Sequence, residues 1–258
     1  ATCSSQPGSL PSRSCTSLSL LAWAETLVRP WVARMRWLDL LFAHWPLRPS
    51  ALDDLLPPGL ELDTFDGEAW LGIVPFTMDD VAPRGLPALP RLSRFPELNV
   101  RTYVRHRGRP GVLFLSLDAA SRLTVEGARV VFRLPYFRAD MASLRSGDAV
   151  AYRSRRTDRR GPPASLTARY RAAGPAAPAA PGSLEDWLTR RMRLFSVDGR
   201  GRILRTEIEH PDWPLRPAEA ELVDNTMAAA HGIALPDTPP HPLMVDRLDV
   251  HAWLPARD

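Results

Sequence analysis

Apolar and polar residues alternate in short runs along most of the chain, and Gly, Pro or Asp closes many of the runs. Alternation with period two is the mark of a strand with one buried face. It predicts strands over 69–76, 98–105, 112–117, 128–134, 149–154, 165–171, 192–197, 203–209 and 243–253. Two short helices precede them. Trp37, Leu38, Leu40, Leu41 and Phe42 predict one that stops near Pro46, and Ser50-Ala51-Leu52-Asp53 caps another that ends at Pro57-Pro58-Gly59. Ser183, with Asp186 at the third helical position, starts a helix to about Arg191. Pro217 in a first turn and Gly232 past the last bound a further one. Residues 79–96 hold Pro83, Pro87, Pro90 and Pro96 and read as a long loop; the Ala/Pro-rich stretch 172–182 reads as a linker or surface loop inside one domain. Many short strands with few helices predict antiparallel sheets or a barrel.

Composition narrows the chemistry. The chain has 258 residues, 45% of them hydrophobic and 24% charged, which is globular rather than disordered. No apolar run is long enough for a membrane-spanning helix. All 33 basic Lys/Arg positions are Arg. A G+C-rich gene accounts for that bias, but the consequence is chemical: Schiff-base catalysis needs a lysine amine, as do pyridoxal phosphate enzymes and Walker-type loops. The two cysteines, Cys3 and Cys15, leave no thiol from Thr16 onward, so a thiolate nucleophile or zinc–thiolate site has no donor in the folded part. No histidine spacing suits a metal, and no glycine loop or nucleophile elbow is present. Neither a cofactor nor a metal is expected, and the location expected is cytoplasmic. Net charge is +4, with Arg153, Arg155, Arg156, Arg159 and Arg160 crowded together. No aromatics interleave them and Gly161-Pro162-Pro163 follows, which predicts a solvated hairpin tip rather than a nucleic-acid surface.

Residues 1–34 differ from the rest: Ser-rich, beginning with Ala, and without Met until Met35. They read as a disordered upstream extension or a mis-set start, with a signal peptide cleaved after Ala22-Trp23-Ala24 as the alternative. One domain is expected over 35–258.

The best candidate constellation is 95–104. On a strand, Glu97, Asn99, Arg101 and Tyr103 share one face, and Leu98, Val100, Thr102 and Val104 the other. Glu97 is suited to moving a proton, Arg101 to holding a carboxylate by a forked pair, and Asn99 and Tyr103 to orienting a carbonyl. A sheet with one wet face gives the same alternation. Pro135 ends the 128–134 strand and sets Tyr136 at its mouth as a hydrogen-bond donor, or as a packing residue. His44, after the apolar Phe42-Ala43, joins the substrate-binding set or else packs. Ser116 and Asp118 share a face but have no placed histidine to make a triad.

Seven stretches occur in an order that is itself specific: Arg36-Trp37 through Trp45, Leu62–Gly67, Val74-Pro75-Phe76, Glu97–Val104, Phe114–Asp118, Leu134-Pro135-Tyr136 and His210–Leu215. Through them the chain resembles the YqjF-like family of uncharacterised bacterial proteins, within the acetoacetate decarboxylase-like superfamily. The resemblance covers about 30–255 and puts the domain start near Pro30. It implies one α+β domain, mainly antiparallel, curled into a cone or barrel around a central pocket with a few flanking helices. In the decarboxylase a lysine after an apolar-Pro pair forms a Schiff base. Leu134-Pro135 resembles that pair, Tyr136 stands where the lysine would be, and Glu97 is similar to a glutamate on a neighbouring strand.

Three functional readings follow. One is an enzyme acting on a small oxo- or hydroxy-carboxylate by acid–base chemistry, with Glu97 and Tyr136 as catalytic residues and Arg101, Asn99, Tyr103 and His44 as substrate-binding ones. The second is a binding protein using the same pocket; the third is an interaction module whose cone is filled by its own side chains. The partner expected is a small molecule, not nucleic acid or membrane, and homo-oligomers through paired sheet edges are compatible with the fold.

Overall fold

A computed structural model describes residues 30–89 and 92–258. The readings on Cys3, Cys15, Ala22-Trp23-Ala24 and Pro90 lie outside these residues. Thirteen strands are present among them: β1 (Ala33–Leu47), β2 (Glu61–Leu62), β3 (Ala69–Pro83), β4 (Phe95–His106), β5 (Arg109–Ala119), β6 (Tyr136–Ser146), β7 (Ala149–Arg156), β8 (Ser165–Ala172), β9 (Arg193–Val197), β10 (Ile203–Glu209), β11 (Arg216–Asn225), β12 (His241–Ala252) and β13 (Ala256–Arg257). Helix α1 (Arg122–Val131) follows β5, and α2 (Leu184–Thr189) follows β8.

The sheet runs β13-β10-β9-β5-β6-β7-β8-β11-β12-β1-β3-β4-β2 and closes on itself twice, through β4–β5 and β10–β12 pairing. One circuit passes through β6, β7, β8 and β11; the other passes through β9 and β10. Both share β1, β3, β4, β5 and β12. All pairings are antiparallel except β5–β6 and β5–β9. The parallel β5–β6 step is bridged by α1, as a parallel neighbour requires a crossover.

The shared strands are buried on both faces. Leu41, Ala43, Leu71, Ile73, Leu98 and Val100 point into one core with Tyr152, Leu166 and Tyr170. Leu40, Phe42, Val74 and Phe76 enter a second core with Leu117, Tyr136 and Trp213. This corrects the helix expected at 37–42, which is the middle of β1. A strand apolar on both sides is a continuous hydrophobic run, which periodicity cannot separate from a buried helix. Asp39 adds to the ambiguity. It takes φ +53° inside β1, where pairing with β3 slips between Leu38 and Ala43. Met35 and Trp37 before it and Leu40 and Phe42 after it therefore lie on the same side, a spacing that mimics a helix. Asp80 does the same in β3, with φ +51°, so that Met78 and Val81 share a side. Asp is among the few residues that adopt this left-handed conformation readily.

Three further expectations are corrected. The stretch 128–134 is mostly α1: Ser121 caps it by accepting from Thr124 N (3.3 Å), and Val125, Ala128 and Phe132 recur at helical spacing toward the second core. The helix expected after Pro217 is β11, paired with β8 from Ala218↔Ala172 onward; only a 3-10 turn, Ala229–His231, precedes Gly232 at φ +74°. The domain edge at Met35 falls inside β1, because Ala33 and Arg34 already pair with Ala252 and His251. The helix capped by Ser183 is present as α2, its Oγ accepting from Asp186 N (3.2 Å). The long loop is shorter than expected, since β3 runs to Pro83 and β4 starts at Phe95. No helix among the described residues is long and apolar enough to cross a membrane.

Candidate functional site

A cavity of about 190 Å³ lies on the second-core side of the shared strands, with walls from β1, β3, β4, β5, α1, β9 and β10. Most of the wall is apolar, with Met35, Val74, Phe76, Met78, Phe114 and Leu117 among its residues. Three of its polar groups enter from one strand. Glu97, Asn99 and Arg101 of β4 line the cavity, while Leu98 and Val100 between them belong to the opposite core. Alternation on β4 thus separates two buried environments rather than core from solvent, which excludes the wet-face reading.

Glu97 is 1% exposed. The Tyr136 hydroxyl lies 3.1 Å from each of its carboxyl oxygens. No ion pair to Glu97 forms among the described residues. Burial pushes its pKa up to about 8, against the opposing pull of the Tyr136 hydrogen bond. Burial, and then the Glu97 charge, raise Tyr136 well above the ordinary phenol value. At neutral pH Glu97 is therefore chiefly a neutral acid holding a proton. Tyr152, from the other core, donates to the Glu97 carbonyl (2.7 Å) and pins the strand there. Tyr136 opens β6 rather than closing a strand, a correction that leaves it beside Glu97 all the same.

Arg101 is 8% exposed and has no carboxylate within ion-pair distance among the described residues. It donates to Tyr103 Oη (3.1 Å) and to the Leu188 carbonyl (3.3 Å), and its guanidinium lies 5.0 Å from the Phe42 ring centroid. Its Nε has no partner. The other arginines of the wall each meet a carboxylate: Arg191 meets Asp63 (2.6 Å), which Arg105 shares (2.7 Å), and Arg193 meets Glu207 (3.1 Å), which Arg205 shares (2.9 Å). A guanidinium stays charged in proteins, and a buried charge is ordinarily paired.

Tyr103 and His44, expected to touch ligand, are not part of the wall; they hold Arg101 instead. Tyr103 Oη is 2.7 Å from His44 Nε2. Burial, followed by the Arg101 charge, holds His44 well below the ordinary imidazole value, so it is neutral. Arg101 donates to the Tyr103 oxygen, which shares a hydrogen bond with His44 Nε2, while His44 Nδ1 has no partner among the described residues. Gly72 makes room for this chain: a Cβ there would lie 2.9 Å from His44 Nε2 and 3.3 Å from Arg101 Cγ.

Asn99 Oδ1 is buried without a partner, and so are Trp37 Nε1 and Thr206 Oγ1 on the same wall. Sequence reasoning missed Thr206 and Arg191 as wall residues. Trp37 and Trp213 lie in stretches that carry the resemblance, which was their only signal. Ser116 does meet a histidine, with Oγ 3.0 Å from His231 Nε2, but Asp118 is committed to Arg156 (2.7 Å), so the three form no relay. Arg156 thereby leaves the solvated arginine tip expected for 153–160; it is fully buried, whereas Arg153 and Arg160 pair at the surface with Asp140 and with Glu126 and Asp158. No group of three or more His, Cys, Asp or Glu is placed to hold a metal among the described residues.

Comparison with known proteins places these residues in context. The sequence pattern of DUF2071, described as an uncharacterized conserved protein, matches residues 34–249. The uncharacterized protein YqjF of Bacillus subtilis (strain 168) is 45% identical over 223 residues, 86% of this chain and 91% of that one. Among solved structures, the acetoacetate decarboxylase of Legionella pneumophila superposes with a TM-score of 0.60 at 14% identity, covering 89% of each chain. The enduracididine biosynthesis enzyme MppR, complexed with the condensation product of pyruvate and imidazole 4-carboxaldehyde, gives 0.62 at 14% identity over 97% of this chain and 98% of that one. An acetoacetate decarboxylase-like enzyme of Sphingomonas wittichii RW1 gives 0.61 at 14% identity over 89% and 94%. At such identities the likeness is one of fold.

Proposed function

The chain belongs to the DUF2071 family, and from that footing we propose that it binds a small carboxylate in the β4 cavity and exchanges a proton with it. The observation that carries this reading is Arg101: a buried cation on the cavity wall, without an acidic partner, a few residues from a carboxyl group that is neutral at pH 7. Among the described residues, Arg101 lacks a counter-ion. A ligand carboxylate supplies it through the forked hydrogen bonds a guanidinium offers. MppR, which shares the fold, is known in complex with pyruvate, so the fold accommodates such an acid.

Glu97 carries the proton in this reading. Its ionised fraction takes a proton from the carbon next to the ligand's carbonyl, and the acid so formed, near pKa 8, gives a proton back to the same carbon of the enolate. Tyr136, hydrogen-bonded to it, orients the acid and stabilises the carboxylate left behind. Asn99, between Glu97 and Arg101, offers its free Oδ1 to a ligand donor. No covalent step through an amine takes part, since the chain contains no lysine.

Both Glu97 oxygens are already engaged by Tyr136, which favours a second reading: binding without turnover. Two measurements separate the readings from each other and from a filled, ligandless cone. Carboxylates are screened by thermal shift against the wild type and Arg101→Met. A ligand at about 100 times its Kd adds roughly 2.7 kcal/mol. That rise is expected in the wild type and not in the variant; its absence from a folded wild type for every acid overturns the reading. With a binding acid that carries a carbonyl remote from its carboxylate, solvent deuterium is expected to enter the carbon next to that carbonyl, and Glu97→Gln is expected to slow it at least a hundredfold. Binding with no exchange makes the protein a binder.

A further inference from the structure

We infer that the ligand is an apolar monocarboxylate of roughly eight to twelve non-hydrogen atoms, an aryl- or alkyl-substituted acid rather than a two- or three-carbon one. The inference rests on the carboxylate reading above and names its substrate class. Three observations carry it.

The first is the number of charges. Of the cations on the wall, Arg191 and Arg193 each have a carboxylate partner and Arg101 has none. One anionic group answers Arg101. A second carboxylate or a phosphate would meet only Arg191, whose Nη2 is free, and Arg193, both of which already face a carboxylate, and would otherwise sit among apolar side chains at a heavy desolvation cost.

The second is size and lining. A buried cavity of about 150 Å³ lined by aliphatic and aromatic side chains accepts benzene. This one measures about 190 Å³, and Val74, Phe76, Met78, Phe114, Leu117 and Trp213 contribute to its wall. A ring or a short alkyl chain fills it; a three-carbon acid leaves most of that surface uncovered, and a polyol finds too few polar partners. Burial of apolar surface contributes about 25 cal/mol per Å², so the body of the ligand adds binding that its head cannot.

The third is spacing. Glu97 and Arg101 are four residues apart on one face of β4, about 13 Å of strand at 3.3 Å per residue. Side chains leaving one face of a strand stand roughly parallel and keep much of that separation. A short acid held by Arg101 stops before Glu97. A longer one brings an oxygen or an acidic C–H to Glu97 while its apolar body lies along Val74 and Phe76, whose strand pairs with β4 as Val74↔Asn99 and Phe76↔Glu97.

Titration calorimetry of the purified chain against 3-phenylpropionate, hexanoate, pyruvate and succinate tests the inference. The expected result is a Kd at least tenfold lower for 3-phenylpropionate and hexanoate than for pyruvate or succinate. Phe114→Ala, which enlarges the cavity from its half-buried rim, is expected to shift the preference toward 4-phenylbutyrate by a further severalfold. Pyruvate binding as tightly as 3-phenylpropionate overturns the apolar body, and succinate binding best overturns the single charge; in both cases the carboxylate site stands. If none of the four acids binds to folded protein, the carboxylate reading fails and the inference with it.

Discussion

The Tyr136 hydroxyl is equidistant, at 3.1 Å, from the two carboxyl oxygens of Glu97. Nothing positively charged joins them, so the pair has one polar contact to offset the removal of a carboxyl group from water. That contact favours the carboxylate but is weaker than the burial opposing it. The result is a residue whose charge state differs between the folded and unfolded chain across the physiological pH range.

Glu97→Gln should therefore change how stability depends on pH. The unfolded group titrates at 4.5 and the folded one at about 8, so between these values unfolding releases a proton. Rising pH then destabilises the wild type by up to about 1.4 kcal/mol per pH unit from this group alone. Glutamine has no such dependence. Urea unfolding at pH 5, 6, 7 and 8 is expected to show the variant gaining on the wild type as pH rises, with no further divergence above pH 8. Parallel curves would mean that Glu97 ionises as an ordinary surface carboxylate.

Tyr136→Phe removes the one hydrogen bond that lowers the Glu97 pKa and leaves the burial intact. The acid should then titrate higher still. Infrared difference spectra of the protonated carboxyl stretch, with Glu97→Gln as the reference, report this directly. A downward shift would show that water, not Tyr136, governs the proton.

Gly72→Ala places a Cβ 2.9 Å from His44 Nε2 and 3.3 Å from Arg101 Cγ. Both side chains must yield within a packed interior, at roughly 1–3 kcal/mol. Because the same movement displaces the anion anchor, carboxylate affinity should fall together with stability. Loss of stability with unchanged affinity would detach Arg101 from ligand binding.

Arg156→Met should cost roughly 3–5 kcal/mol at pH 8, because it strands Asp118 in the interior. Asp118 already titrates at about 6 with its partner present. Without Arg156 it escapes the penalty by taking up a proton, so the loss should shrink toward pH 5. Arg156→Met combined with Asp118→Leu should recover much of the stability. Equal losses at both pH values would show that Asp118 does not take up a proton once Arg156 is gone.

What was legible in the sequence followed the number of buried faces. β7, with strict alternation of buried and exposed residues, was read almost to its ends. β1 and β3, buried on both sides and turned midway by Asp39 and Asp80, lost the alternation on which such a reading depends. The site was legible where it lay on one regular strand: Glu97, Asn99 and Arg101 needed only period two to be placed on the same wall. Tyr136 was read from Pro135 at the end of a supposed strand and from the resemblance; no local pattern links it to a strand that pairs with β5 in parallel. Arg191 and Thr206 lie far along the chain and reach the cavity only through closure of the sheet. His44 and Tyr103 were read as substrate-binding residues; they lie off the cavity wall, hydrogen-bonded to each other and, through Tyr103, to Arg101.

β4 and the strands it shares between circuits act as a party wall between two rooms, one packed solid and the other holding the cavity. Leu98 and Val100 hold the wall from the packed side, while Glu97, Asn99 and Arg101 line the other. Replacements among those three can retune size, charge or chemistry while the masonry stays in place. A chain built this way can change its guest over generations without passing through an unfolded ancestor.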